Sequence, residues 1–273
     1  MDSLQGPSHT ASTACATGAH SIGDAARLIA EGDADVILAG GAEAPIHPLA
    51  FIGFERSRSL CITSNENPVK ASRPFDKTRD GFVIGEGAAI LVLEELQHAI
   101  GRGATVYAEL KGYGLSSDAH HITSPPADGK GALRAMQRAL AQAALTPEDV
   151  DYVNAHAAST MLGDVAELRA IGDLCRGDHT TQSRQSITLS SNKGAIGHLL
   201  GASGAVEAVF TVLALRHSVI PATVNLLDID QAADNRIHFV RHQSEHRDLE
   251  VCLSNSFGFG GTNTSLCFTK YPP

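Results

Sequence analysis

The chain has no tryptophan, only 5% aromatic residues and no apolar run approaching the roughly 18 residues of a membrane-spanning helix. Basic residues are scarce as well. The 21 Lys and Arg stand against 30 Asp and Glu, a net charge of −9, whereas a general nucleic-acid binder is usually basic. Cysteine is sparse and odd in number. Cys15, Cys61, Cys175, Cys252 and Cys267 include no CxxC pair, which argues against a disulfide framework or zinc site and makes a reducing compartment the default. The N-terminal residues show neither the charged-then-apolar order of a secretory signal nor an Arg-rich presequence.

What is present is an ordinary globular balance: 273 residues, 43% hydrophobic and 19% charged. That composition excludes a disordered tail or fibrous repeat. Length alone allows two domains or one large α/β domain. The 26 glycines point to many turns and close backbone approaches.

Short apolar runs alternate with helical periodicity. A helix is expected over 16–31, from the spacing of Ile22, Ala25, Ala26 and Ile29. Strands are expected at Val36–Ala39, Ala88–Leu93 and Thr105–Leu110, the last at an edge or opening a new sheet. Leu133, Met136, Leu140 and Ala144 form the next helical stripe. Thr146-Pro147-Glu148 signals a brief turn of helix, and a strand follows from Val150 to Ala155. Val165, Leu168, Ile171 and Leu174 share one helix face, ahead of a strand at Ile187–Ser191. The nearly all-apolar stretch 203–216 should be a helix buried on most sides. Strands near 237–240, 251–254 and 264–268 close the chain. This alternation predicts a parallel or mixed sheet covered by helices. The one weak boundary lies at Glu94–Gly103, dividing the chain into 1–103 and 104–273.

Ligands of such sheets sit at strand-to-helix loops. Cys15 is expected to follow a short strand and open a helix, where free N–H groups favour thiolate and lower the thiol pKa. An isolated cysteine is otherwise a small buried hydrophobe, the reading that suits Cys175, Cys252 and Cys267. Lone histidines mean little by default, which covers His9, His47, His98, His179, His217, His238, His242 and His246. The pair His120-His121 lacks a third metal ligand at useful spacing. His156 and His198 differ, because each follows a strand or its loop. Two neutral imidazoles beside a cysteine can donate to a carbonyl oxygen or exchange protons with the nucleophile. The run Gly258-Phe259-Gly260-Gly261-Thr262-Asn263 joins two strands, so it is no dinucleotide fingerprint, but its N–H groups suit an oxyanion hole. Lys193 lies in a polar loop, where an exposed lysine is the default. Glu207 is a carboxylate on a buried helix, costly unless partnered; Lys193 is its candidate partner, and the two together would order His198.

These motifs resemble the β-ketoacyl-acyl-carrier-protein synthases, specifically the type II elongating enzymes of bacteria and mitochondria. The match rests on Thr13-Ala14-Cys15-Ala16-Thr17-Gly18, Asn154-Ala155-His156, Lys193-Gly194-Ala195-Ile196-Gly197-His198 and Asn255 to Asn263. Arg73-Pro74-Phe75-Asp76, Arg79-Asp80-Gly81-Phe82-Val83 and Gly85-Glu86-Gly87-Ala88 add to it. The resemblance implies an α/β, thiolase-like fold: two similar βαβαβ halves in α-β-α-β-α layers, divided here at about residue 103. It implies an acyltransferase that condenses an acyl thioester on Cys15 with malonyl-acyl-carrier-protein. His156 and His198 would stabilise the enolate, Lys193 and Glu207 would support His198, and the N–H groups of Cys15 and Phe259 would form the oxyanion hole. Phe259 would gate the acyl chain, Thr160 and Phe257 would line the substrate arm, and Arg58 with Arg56 would dock the acidic acyl carrier protein. No metal or organic cofactor is implied, since the phosphopantetheine arm belongs to the carrier. A homodimer, formed through the strand near the nucleophile, is implied too. The compartment would be the mitochondrial matrix, or a bacterial cytoplasm.

Two departures stand out. Ala158 replaces the threonine usual two residues after the first histidine, while Thr160 keeps the second hydroxyl. Only fourteen residues precede Cys15, so the first half is expected to be incomplete, leaving sheet edges and apolar faces bare. A truncated, catalytically inactive paralogue or partner subunit is the alternative reading. A thiolase would need a second cysteine near the glycine loop, which instead carries Phe257 and Phe259.

Overall fold

The computed structural model describes residues 5–176 and 186–271. The loop 177–186, which the sequence reading takes as compatible with a mitochondrial enzyme, lies outside the described residues except for its last position, and so does His179. The helices are α1 (Thr17–Ala30), α2 (Pro48–Arg56), α3 (Leu96–Gly101), α4 (Lys130–Ala143), α5 (Met161–Arg176), α6 (Lys193–Ile196) and α7 (Ser203–His217). The strands are β1 (Val36–Glu43), β2 (Gly87–Glu94), β3 (Glu109–Ser117), β4 (Tyr152–Asn154), β5 (Ile187–Ser190), β6 (Val219–Ile220), β7 (Ile237–Phe239), β8 (Glu245–His246), β9 (Val251–Gly258) and β10 (Thr262–Thr269).

The main sheet has six strands in the order β3-β10-β9-β4-β5-β7. The pairs β4–β5, β4–β9 and β5–β7 are parallel, and β3–β10 and β9–β10 antiparallel, so the sheet is mixed. β1 and β2 form a separate antiparallel pair with Leu38 opposite Val92 and Gly40 opposite Ile90. One strand is misplaced by the sequence reading. β3 begins at Glu109, not at Thr105, although it does lie at the edge of a new sheet.

α4 and α5 cover one face of the main sheet. Met136, Leu140, Leu168 and Ile171 pack there against Val153, Leu189 and Leu253, all essentially without solvent exposure. Two further helices, α1 and α7, fill the space between the main sheet and the β1–β2 pair. Ala19, Ile22 and Ala205 meet Ala39 on one side and Cys252 and Leu266 on the other. The two central helices cross in backbone contact. A Cβ on Gly18 would lie 2.7 Å from the nitrogen of Ala205, and one on Gly204 would lie 2.8 Å from the nitrogen of Ala19. Only hydrogen fits at those two places.

The described residues thus supply helix, sheet, helix and sheet in succession. Among the described residues no fifth layer covers the outer face of β1–β2: Leu38, Ile90 and Val92 are 55%, 58% and 59% exposed. No described helix is long and apolar enough to cross a membrane.

Candidate active site

Cys15 sits in a one-turn 3-10 helix, Ala14–Ala16, that runs directly into α1. Among the described residues the expected strand before it is absent, and residues 7–13 are irregular. The expected depression of the thiol pKa is also reversed. Burial pushes Cys15 up to about 11, while Lys193 and the N–H groups of Phe259 and Cys15 pull the other way without overcoming it. Desolvation of a buried thiolate outweighs the partial positive charge of the helix terminus.

The N–H groups that reach the Cys15 sulfur are the two expected to face an oxyanion. That of Phe259 is presented by the turn between β9 and β10, where Gly260 and Gly261 have φ of +90° and +74°. Gly258 lies so close that a Cβ would be 2.6 Å from the carbonyl oxygen of Thr13. Phe259 itself leans on Phe54, with ring centroids 6.3 Å apart.

His156 follows β4 and His198 follows α6. Their rings meet edge to face, centroids 5.3 Å apart. Both line one cleft with Cys15, Phe257 and Phe259. Burial, and then the charge of Lys193, holds each imidazole well below its usual pKa, so both are neutral at pH 7. The backbone of His198 is fixed by Val83 and Gly85: its N–H donates to Val83 at 2.7 Å and its carbonyl accepts from Gly85 at 2.9 Å. Phe82 of the same segment packs edge-on against its ring.

Lys193 is not an exposed loop lysine. It is wholly buried at the start of α6 and ion-paired with Glu207 of α7. Burial raises Glu207 to about 7 despite that partner. The pair does not hold the His198 ring by direct contact, however. Its Nδ1 lies 2.7 Å from the hydroxyl of Ser203, and that is its side-chain partner. The hydroxyl is short enough to fit where α7 begins.

Sequence reasoning missed three further groups. Glu167 accepts the N–H groups of His156 (3.0 Å) and Ala157 (2.7 Å) and the amide of Asn255 (3.1 Å), so it holds the loop that carries His156. Burial lifts its carboxyl to about 7. Asp164 accepts the N–H groups of Phe75 and Thr160 and pairs with Arg79 at 3.3 Å. Arg79 is itself buried and also binds Asp230 at 2.7 Å and the carbonyls of Asp76, Thr160 and Met161. The signal was available. Asp164 and Glu167 fall on the apolar face of α5 beside Leu168 and Ile171, where an unpartnered carboxylate would be costly. The third group is the hydroxyl of Ser203.

Thr160 and Phe257 also line the cleft, and Phe257 packs against His156 at 5.7 Å. Ala158 lines it too, 6% exposed, in a cluster with Phe82 and Ile84. Arg58 stands at the cleft, whereas Arg56 is exposed on the last turn of α2 and does not line it. Among the described residues, no group of three His, Cys, Asp or Glu side chains is arranged to hold a metal ion.

Comparison with known proteins agrees with this geometry. Residues 3–99 match the family described as "Beta-ketoacyl synthase, N-terminal domain", and residues 107–227 match "Beta-ketoacyl synthase, C-terminal domain". The Arabidopsis thaliana protein named "3-oxoacyl-[acyl-carrier-protein] synthase, mitochondrial" is 57% identical over 98% of this chain and 57% of its own length. "3-oxoacyl-[acyl-carrier-protein] synthase 2" of Rhizobium meliloti is 55% identical, over 98% of this chain and 62% of its own. A solved ketosynthase of a type II polyketide system, in complex with its acyl-carrier protein, superposes with a TM-score of 0.92 at 35% identity, covering 98% of this chain and 64% of that one. The chain spans about three fifths of the length of the curated relatives it matches. The thiolase-like arrangement of sheets and helices and the two successive domain matches agree: the chain belongs to the β-ketoacyl synthase family.

Proposed function

We propose that this protein joins an acyl thioester to malonyl-acyl-carrier-protein by decarboxylating Claisen condensation, giving 3-oxoacyl-acyl-carrier-protein in fatty-acid elongation. One observation carries the reading: a thiol under two backbone N–H groups shares a cleft with two neutral imidazoles. The names of the relatives support it.

In the first half-reaction, Cys15 Sγ bonds to the acyl carbon and the carrier's C–S bond breaks. The thiol proton ends on the released carrier thiol. Because burial keeps Cys15 protonated at pH 7, this proton must leave as the sulfur attacks and pass to the departing carrier sulfur. In the second, the bond from the malonyl α-carbon to its carboxylate breaks and CO₂ leaves. The electron pair passes into an enolate whose oxygen takes hydrogen bonds from His156 and His198. The Ser203 hydroxyl meets Nδ1 of His198 at 2.7 Å; assigned as the donor there, it leaves the ring proton on Nε2, pointing at substrate. The enolate carbon then bonds to the acyl carbon, the oxyanion meets the N–H groups of Cys15 and Phe259, and Sγ departs, taking up one proton. No resident metal or organic cofactor is called for in these steps. The acidic carrier would dock beside Arg58 at the mouth.

The test is intact mass after incubation with a medium-chain acyl-carrier-protein. A gain of one acyl group is expected, absent in Cys15→Ala, followed by its discharge as 3-oxoacyl product when malonyl-carrier is added. No gain in a folded sample would overturn the reading and favour a non-acylating partner subunit.

Ala158 gives a second expectation. Thr160 alone offers a hydroxyl where two are usual, so Ala158→Thr should lower the apparent KM for malonyl-carrier about fivefold, the worth of one hydrogen bond, with kcat little changed. Steady-state kinetics at fixed acyl-carrier would show it. An unchanged KM would mean that Ala158 does not face the arm.

A further inference from the structure

The nucleophile lies on a backbone elbow that its own residues do not favour. Ala14, immediately before Cys15, has φ of +51°, a conformation that residues with a Cβ seldom adopt. Two side chains from the start of α1 reach back to this elbow. Thr17 Oγ1 accepts the N–H of Thr13 at 2.9 Å and donates to the carbonyl of Ala14 at 2.8 Å. One turn further on, His20 places Nδ1 2.8 Å from the hydroxyl of Thr13 and 3.0 Å from the carbonyl of Ala16.

His20 is buried, 7% exposed, and the condensation chemistry does not use it. A carbonyl oxygen only accepts, so the nitrogen facing Ala16 must carry the hydrogen. The other side of the ring rests edge-on against Tyr113, centroids 6.2 Å apart. Tyr113 in turn donates to Asp24 at 3.0 Å and lies under Arg27, which fixes the imidazole from behind. On the elbow, the N–H and hydroxyl of Thr13 and the carbonyls of Ala14 and Ala16 are therefore met by Thr17 or His20, and the carbonyl of Thr13 by the N–H of Ala16.

We propose that Thr17 and His20 are positioning residues for the nucleophile: they clamp Thr13–Ala16 in its disfavoured turn and so keep Cys15 Sγ beneath the N–H of Phe259. The proposal rests on Cys15 being the acyl acceptor, and on nothing in the later decarboxylation.

The test uses four variants of the full chain and two rates. Asparagine at position 20 puts an amide nitrogen close to where Nδ1 lies and can donate to both oxygens; leucine fills the space without a donor. Serine at position 17 keeps the hydroxyl; valine removes it from a half-exposed site at little packing cost. The rates are alkylation of Cys15 by iodoacetamide, followed by peptide mass, and acyl transfer from acyl-carrier-protein. Both are measured on samples shown to be folded by circular dichroism. His20→Leu and Thr17→Val should slow both rates about tenfold or more, as expected for a displaced reacting atom, whereas His20→Asn and Thr17→Ser should stay within about threefold of the parent. Parent-like rates in folded Thr17→Val or His20→Leu would overturn the proposal. So would equal slowing by asparagine and leucine, which would make the effect one of packing. If His20→Leu does not fold, the Thr17 pair and His20→Asn still decide. Alkylation reads Cys15 directly, so a failure of the condensation reading leaves this result interpretable.

Discussion

Replacing His156 or His198 by alanine is expected to cut condensation about 10³-fold while acyl loading of Cys15 stays within about threefold, because each imidazole supplies one donor to a charge that exists only after CO₂ leaves. The measurement is single-turnover: mass of the acyl-enzyme for loading, and labelled CO₂ release from malonyl-carrier for the second half. The expectation depends on both rings being neutral, which burial ensures. A protonated imidazole would also donate, but would carry its charge into a cleft already facing Lys193. Equal loss of loading and decarboxylation in either variant would assign that histidine to proton relay from Cys15 instead.

Lys193→Met is expected to destabilise the fold by about 3–5 kcal/mol at pH 8, the range for breaking one side of a buried ion pair. The cost comes from Glu207, which without its partner must at pH 8 either stay ionised in a site that excludes water or take up a proton. The effect should shrink as pH falls. The carboxyl of Glu207 titrates near 7 in the folded protein and near 4.5 unfolded, so the folded state binds the proton first. Its stabilising contribution is complete below about pH 4.5 and is lost as pH rises through 7. Without Lys193 that folded pKa moves higher still. Denaturant midpoints at pH 5 and pH 8 should therefore converge toward the parent at the lower pH. A loss independent of pH would show that the lysine acts through packing of its stem alone.

Much of this molecule was legible from periodicity. The stripe Leu133-Met136-Leu140 and the face of Leu168, Ile171 and Leu174 become α4 and α5, because a 3.6-residue repeat of large apolar side chains has one economical way to be buried. Residue identity at loops singled out Cys15, His156, His198 and Phe259, which the structure brings into one cleft, and Glu207 was singled out by its position on an apolar helix. What failed was local. The strand expected at Thr105 starts four residues later, since Tyr113 and Leu115 pair with β10 and the earlier alternation does not. The thiol shift was read with the wrong sign, because a sequence shows the helix terminus but not the enclosure. The sequence reading set Lys193 and Glu207 behind His198 and overlooked Ser203, whose hydroxyl meets its Nδ1; serine at a helix start is too common to single out. His20 carried no signal at all, being one more histidine on an amphipathic helix.

The crossing of α1 and α7 has a consequence for how accurately this machine can be built. Cys15 is the approach to one helix, and Ser203 and Glu207 ride on the other. At their closest approach those helices meet backbone to backbone, Gly18 against Ala205 and Gly204 against Ala19. A joint between side chains inherits the play of each torsion, and a joint between backbones inherits almost none. The crossing therefore acts as a datum surface from which the Cys15 sulfur and the Ser203 hydroxyl beside His198 are both measured, so drift in the outer loops does not accumulate into their separation.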